Sequence, residues 1–143
     1  MNLVNIILKA PCSIADHKLN YVVMAVRYQD QWLFVRHRER TSWEMVSGHI
    51  EAGELPDQAA LRELNEEAGV VKSSMQILSD YEVEVKGKRE YGRFYGVEVS
   101  ELNPVLEYET EEIVLAERLP ESLTYPEVHS ALFQRALEHF GLS

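Results

Sequence analysis

The 143-residue sequence predicts a single α/β domain, residues 1–143, built on a mixed central sheet with helices packed on it. Three observations carry this expectation. Strand-like runs alternate irregularly with two helix-like segments, and the length suits one domain with a sizeable core. No Pro/Gly/Ser-rich linker, internal repeat or low-complexity tract divides the chain. The 45% hydrophobic content is that of a globular chain, although 24 acidic against 14 basic residues leave a formal net charge of −10.

The elements follow in order. Leu3-Val4-Asn5-Ile6-Ile7-Leu8 is too short for a membrane span and lacks the basic residue that precedes a signal-peptide core. Tyr21 to Tyr28 is nearly continuously apolar and β-branched, the pattern of a strand buried on both faces. The polar break Gln29-Asp30-Gln31, followed by Trp32-Leu33-Phe34-Val35, predicts a hairpin. Pro56 to Ala68 predicts a helix, with proline in its first turn and Gly69 just past its end. Ile77 to Val85 alternates, as does the stretch through Tyr91, Tyr95, Val97 and Val99, so a second hairpin is expected with one face buried and one polar. Ile113 to Ala116 adds a short strand. Thr124-Tyr125-Pro126-Glu127 resembles a capping box for a C-terminal helix, whose Val128, Leu132, Ala136 and Phe140 form a core stripe.

Composition excludes some function classes. Nonspecific affinity for a nucleic-acid polymer needs a basic field, which this acidic chain lacks. The single Cys12 cannot form an internal disulfide, and with no leader or span a cytoplasmic protein without membrane contact is expected.

The chemistry concentrates on the first helix. At about 100° per residue, Glu63, Glu66 and Glu67 share one arc with Arg62 at its edge, while Ala60, Leu61, Leu64 and Ala68 lie opposite. Such crowding costs about a few tenths of a kcal/mol per like-charged pair. Crowded carboxylate oxygens suit a hard divalent cation such as Mg²⁺. A solvated acidic face is the competing reading of Glu-Glu-x-x-Glu spacing taken alone. The surroundings weigh against it, because residues 48–70 carry Gly48, Glu54, Arg62, Glu63, Leu64, Glu66, Glu67, Gly69 and Val70 at fixed spacings.

That unbroken pattern is the Nudix box, and the chain resembles the Nudix hydrolases. The resemblance implies an α/β/α sandwich and hydrolysis of a nucleoside diphosphate linked to another moiety, dependent on Mg²⁺ with Mn²⁺ as substitute. It implies Glu63, Glu66 and Glu67 as metal ligands, with Glu63 also a candidate for activating water. Arg62 would orient these glutamates, Glu54 would support them from the loop, and Ser47 would offer its carbonyl to a metal. Many members place a further glutamate on a downstream loop. Among Glu107, Glu109, Glu111 and Glu112, Glu109 is favoured, with Glu107 second. Val46-Ser47 replaces the Pro-Gly often found before the box. Because serine tolerates φ > 0 poorly, an altered loop is expected there. Dimers occur in the family, so a homodimer stays open.

For the substrate, Arg36, Arg38 and Arg40 stand between the first hairpin and the box, as candidates to hold a terminal phosphate or a base edge rather than form a solvated loop. His37 and His49 are candidate hydrogen-bonding partners without metal-ligand spacing. Family patterns for ADP-ribose, dinucleoside polyphosphates and coenzyme A do not appear clearly. Elimination leaves a small-molecule nucleotide, a nucleoside triphosphate, oxidised or noncanonical ones included, cleaved to monophosphate and pyrophosphate. Hydrolysis of ADP-ribose, nucleotide sugars or dinucleoside polyphosphates is the alternative. A noncatalytic nucleotide-sensing domain is another, although the box carboxylates it would have lost are all present. An isoprenyl diphosphate isomerase is a third class, which Cys12 is poorly placed to serve. For a small polyphosphate, bound cations are what make so acidic a site usable.

Overall fold

A computed structural model describes residues 4–103 and 110–142. In chain order the elements are β1 (Val4–Lys9), β2 (Tyr21–Tyr28), β3 (Gln31–His37), β4 (Val46–His49), α1 (Pro56–Ala68), β5 (Val70–Val85), β6 (Lys88–Leu102), β7 (Thr110–Ala116) and α2 (Pro126–His139). The sheet runs β1-β5-β6-β2-β3-β7, with β4 paired to β2 off this path. The β2–β6 pair is parallel and the other pairs are antiparallel, so the sheet is mixed as expected.

The division of labour along β2 positions everything that follows. One edge of β2 lies on β6 throughout. The other edge is shared: Tyr21 to Met24 pair with β4, and Val26 to Tyr28 pair with β3. The strand reads as a buried apolar run because both faces are covered. Val22, Met24 and Val26 pack with Ala59, Ala60, Leu64 and Ala68 of α1. Val23 and Ala25, with Trp32 and Phe34, pack with Leu132, Phe133 and Ala136 of α2. The helices therefore cover opposite faces of the sheet, the α/β/α arrangement. No helix among the described residues is long and apolar enough to cross a membrane.

Helix α1 has the predicted bounds. Pro56 opens it, and Gly69, left-handed at φ 68°, closes it with its N–H on Asn65. Elsewhere the structure corrects the expectation. The second hairpin is far longer, because Lys72, Ser73, Ser74 and Gln76 conceal a strand that β6 holds by backbone pairing. Residues 92–97 of β6 are buried on both faces, since each helix covers one of them. The N-terminal apolar run is an edge strand on β5. Thr124 does not cap α2. Its hydroxyl pairs with Ser42 at 2.7 Å, and Tyr125 holds the cap position without a side-chain bond. Leu61 was expected on the core side of α1 and is 53% exposed.

One buried ion pair ties the segment after β1 to the sheet. Arg93 on β6 donates to both oxygens of Asp80 on β5, at 2.8 and 3.0 Å, and to Asp16 at 2.8 Å. Asp80 also accepts the N–H of Ile14 at 2.9 Å. Both Asp80 and Arg93 are nearly inaccessible, so neither charge has water to fall back on. We expect Asp80→Asn to lower unfolding stability by about 3 kcal/mol in urea denaturation. A loss below about 0.5 kcal/mol would show that the pair is not anchored.

Candidate active site

Strand β4 and helix α1 bring the box together. Gly48 pairs with Val22, which sets its Cα directly under the Glu63 side chain. A Cβ at position 48 would overlap the Glu63 carboxyl group. The glycine is thus required by close approach rather than by φ, which is not positive there. The same holds at Ser47: it lies within β4, its φ is not positive, and no strain follows from serine in place of glycine.

Arg62 organises the acidic face. Its Nε and Nη2 donate to the two oxygens of Glu54 at 2.8 and 3.0 Å, a bidentate grip on the loop before α1. Nη1 donates to Glu63 at 2.6 Å and, at the limit of bonding distance, to Glu66 at 3.4 Å. Nη2 also donates to the His49 carbonyl at 3.0 Å. One guanidinium therefore joins β4, the loop and three of the box glutamates. These bonds hold Glu54 below the usual carboxylate range. For Glu63, burial and the nearby charge of Glu67 outweigh Arg62 and push its carboxyl up to about 7.

Glu67 faces inward and is 7% exposed. Its Oε1 accepts the Ser47 N–H at 2.9 Å, and its Oε2 lies 2.9 Å from His37 Nε2. Nε2 of His37 also lies 3.4 Å from Oε1 of Glu44, a second buried carboxylate. Hydrogen bonds to Glu44 and Glu67 push His37 up to about 10. Burial pushes Glu44 up, and His37, the charge of His129 and a hydrogen bond with Thr124 together outweigh it, leaving Glu44 below its ordinary range. Glu67 is raised, because its burial exceeds what His37 and Ser47 return. Beneath them His129 of α2 accepts the Met45 N–H on Nδ1 at 3.2 Å, and burial lowers it to about 4.

Two of the predicted arginines, Arg36 and Arg40, are joined to each other. Arg36 binds Glu112 of β7 through Nε and Nη2 at 3.3 and 3.1 Å and the Arg40 carbonyl through Nη1 at 3.0 Å. Arg40 stacks on Tyr125, 5.5 Å from its ring centre, and donates to its hydroxyl at 3.3 Å. Arg38 is exposed. Glu107 and Glu109 lie outside the described residues. Glu44, on the β4 side of the site, was not singled out by sequence, although a carboxylate between Trp43 and Met45 in a buried run was a signal.

Among the described residues, no three Asp, Glu, His or Cys side chains converge as they stand on a point that would hold a metal. The donors nevertheless fit a hard divalent cation. They are oxygens only and crowded on one helix; burial first, then the charge of Glu67, raises Glu63, and Gly48 leaves room for its side chain. As placed, the glutamates turn toward Arg62 and His37 instead. Two clefts of about 430 and 420 Å³ lie elsewhere, one beside β1 around Lys9 and Tyr91, the other behind α1 around Leu61 and Val71.

The fold is thus a mixed sheet between two helices, with an arginine-bound cluster of glutamates on the first. The sequence matches the NUDIX domain family model over residues 18–135, and the chain belongs to the Nudix hydrolase family. It is 33% identical over 105 residues to YtkD of Bacillus subtilis (strain 168), whose name proposes 8-oxo-dGTP diphosphatase activity; the match covers 73% of this chain and 66% of YtkD. It is 30% identical over 65 residues to the RNA pyrophosphohydrolase of Francisella tularensis subsp. mediasiatica (strain FSC147), covering 46% of this chain and 42% of that enzyme. The chain thus spans just under two thirds of the first of these curated relatives and under half of the second. The crystal structure of the pyrophosphohydrolase BsRppH from Bacillus subtilis superposes with a TM-score of 0.81 at 26% identity, over 95% of this chain and 91% of that one. The family generally uses divalent metal ions.

The raised carboxyl of Glu63 fixes a pH dependence. Folded protein holds this proton up to about pH 7, against 4.5 for an ordinary glutamate, so the unfolded chain binds fewer protons in that window. The Glu63 contribution to stability is present below pH 4.5 and is lost as pH rises through about 7. In chelator, we expect Glu63→Gln to show a smaller fall in melting temperature from pH 5 to pH 7.5 than the parent. Parallel pH profiles would contradict the shift.

Proposed function

We propose that this protein is a Nudix pyrophosphohydrolase, one domain over residues 1–143, that cleaves a nucleoside triphosphate to monophosphate and pyrophosphate. Oxidised or noncanonical triphosphates are the favoured substrates, with Mg²⁺ as the cation and Mn²⁺ as substitute. The observation that carries this reading is the unbroken box folded into one arginine-organised carboxylate cluster against Gly48. The lone exposed Cys12 accords with a reducing cytoplasm as its place of action.

The residues divide the work. Glu63, Glu66, Glu67 and the Ser47 carbonyl would hold the cations. When bound, those cations neutralise the phosphate oxygens and acidify water. Glu63 accepts the proton of the attacking water. Glu109 is the alternative base, with Glu107 behind it. Arg62 stays protonated, and keeps the glutamates aimed by its fan of hydrogen bonds. Arg36, Arg38 and Arg40 receive the phosphate chain or the base, and Arg40 with Tyr125 offers a flat cationic surface for stacking.

A second reading, removal of pyrophosphate from a 5′-triphosphate RNA end, draws support from the likeness to RNA pyrophosphohydrolases. The net charge of −10 weighs against a long polymer. The deciding experiment is a turnover screen over nucleoside triphosphates, oxidised guanine nucleotides, nucleotide sugars, dinucleoside polyphosphates and a short 5′-triphosphate RNA, with products identified by mass. Free triphosphates should be hydrolysed only with Mg²⁺ or Mn²⁺. Glu67→Gln should lower turnover by about 100-fold or more. Full activity in excess chelator would overturn the proposal, and preference for the RNA would favour the second reading.

A further inference from the structure

We propose that His37 is a positioning residue that shares Glu67 with the divalent cation, holding the carboxylate while no cation is ligated there and passing to Glu44 when one is. The inference rests on the reading above, in which Glu67 ligates a cation. It starts from the two oxygens of Glu67. Oε1 is taken by the Ser47 N–H at 2.9 Å, and Oε2, the oxygen left to face a ligand, is the one His37 holds at 2.9 Å. A cation drawn to Oε2 would compete there with the imidazole.

A displaced imidazole needs somewhere to go, and the structure supplies it. The same Nε2 already lies 3.4 Å from Oε1 of Glu44. A ring nitrogen carries one N–H, so it serves one of these acceptors at full strength at a time. Glu44 is fixed by its backbone, which exchanges hydrogen bonds with Val35 at 2.9 and 3.0 Å. It is also 5% exposed, so this carboxylate has a standing need for a partner. The other oxygen of Glu44 lies 4.0 Å from Arg40, leaving Oε1 to His37. His37 stands where the β3–β7 register shifts between Arg36 and His37, an irregularity of the kind that re-aims a side chain. Charge follows the same logic: moving to Glu44 carries the imidazole away from an arriving dication and compensates a buried anion.

The test follows the imidazole directly, by NMR of the full chain labelled with ¹⁵N-histidine during Mg²⁺ titration, alongside calorimetric Mg²⁺ affinities. The His37 Nε2 resonance should move in step with Mg²⁺ saturation. His37→Ala should bind Mg²⁺ about tenfold more tightly, having no imidazole to compete for Oε2. Glu44→Leu, which removes the landing place, should bind it several-fold more weakly. His37→Gln keeps a neutral N–H donor of similar reach, preserves folding if the alanine variant does not, and should fall between parent and alanine. Mg²⁺ binding with Nε2 unmoved, or His37 variants that bind no more tightly than the parent, would overturn the inference. Failure of the parent to bind Mg²⁺ or Mn²⁺ at all would instead overturn the metal reading on which it rests.

Discussion

Glu63, Glu66 and Glu67 crowd like charges onto little more than one helical turn, and two of the three are largely withdrawn from water. No arrangement of an isolated helix tolerates this for stability's sake, because each pair repels and each buried carboxylate loses its hydration. The fold tolerates it by bringing cations of its own. Arg62 spreads its donors over Glu54, Glu63 and Glu66, and His37 stands between Glu67 and Glu44. The compensation is incomplete: burial raises the carboxyl groups of Glu63 and Glu67, and the charge of Glu67 adds to the rise of Glu63. On the proposed reading, a hard cation would supply the compensation that the protein leaves incomplete.

The rest of the architecture serves this crowding. Because β2 gives half of one edge to β4 and half to β3, Gly48 and Ser47 arrive beside α1 while His37 and Glu44 arrive from the other direction. Apolar packing of Ala59, Ala60, Leu64 and Ala68 on the sheet fixes the rotation of α1. Residue 67 follows residue 64 by three, so its carboxylate is driven inward with that stripe and must find partners in the protein. On the opposite face α2 delivers His129 and Tyr125 to the same region, so both helices bear on the site.

Much of this was legible in the sequence, and the remainder was hidden for identifiable reasons. Helix α1 was readable to the residue because proline opens it and a left-handed glycine closes it. The box spacing pointed to the carboxylate cluster and to Arg62 as its organiser. Strand β1 and the first half of β5 were not readable, since their polar and exposed residues are held by backbone pairing that leaves no periodic trace. The helical wheel placed Leu61 with the core, but it lies at the edge of the stripe, beside an open cleft. The concern about serine before the box dissolved because the backbone there is an ordinary strand. The Glu44–His37–Glu67 chain was invisible because it joins residues 23 positions apart at its ends through contacts that only the folded sheet creates.

The central claim is that the box carboxylates are crowded for the sake of a cation, and melting temperature tests it most directly. With Mg²⁺ in about 100-fold excess over its dissociation constant, linkage predicts a stabilisation of about 2.7 kcal/mol. Melting should therefore rise by several degrees in the parent protein, and by much less in Glu67→Gln. A melting temperature that millimolar Mg²⁺ and Mn²⁺ leave unchanged would contradict the claim.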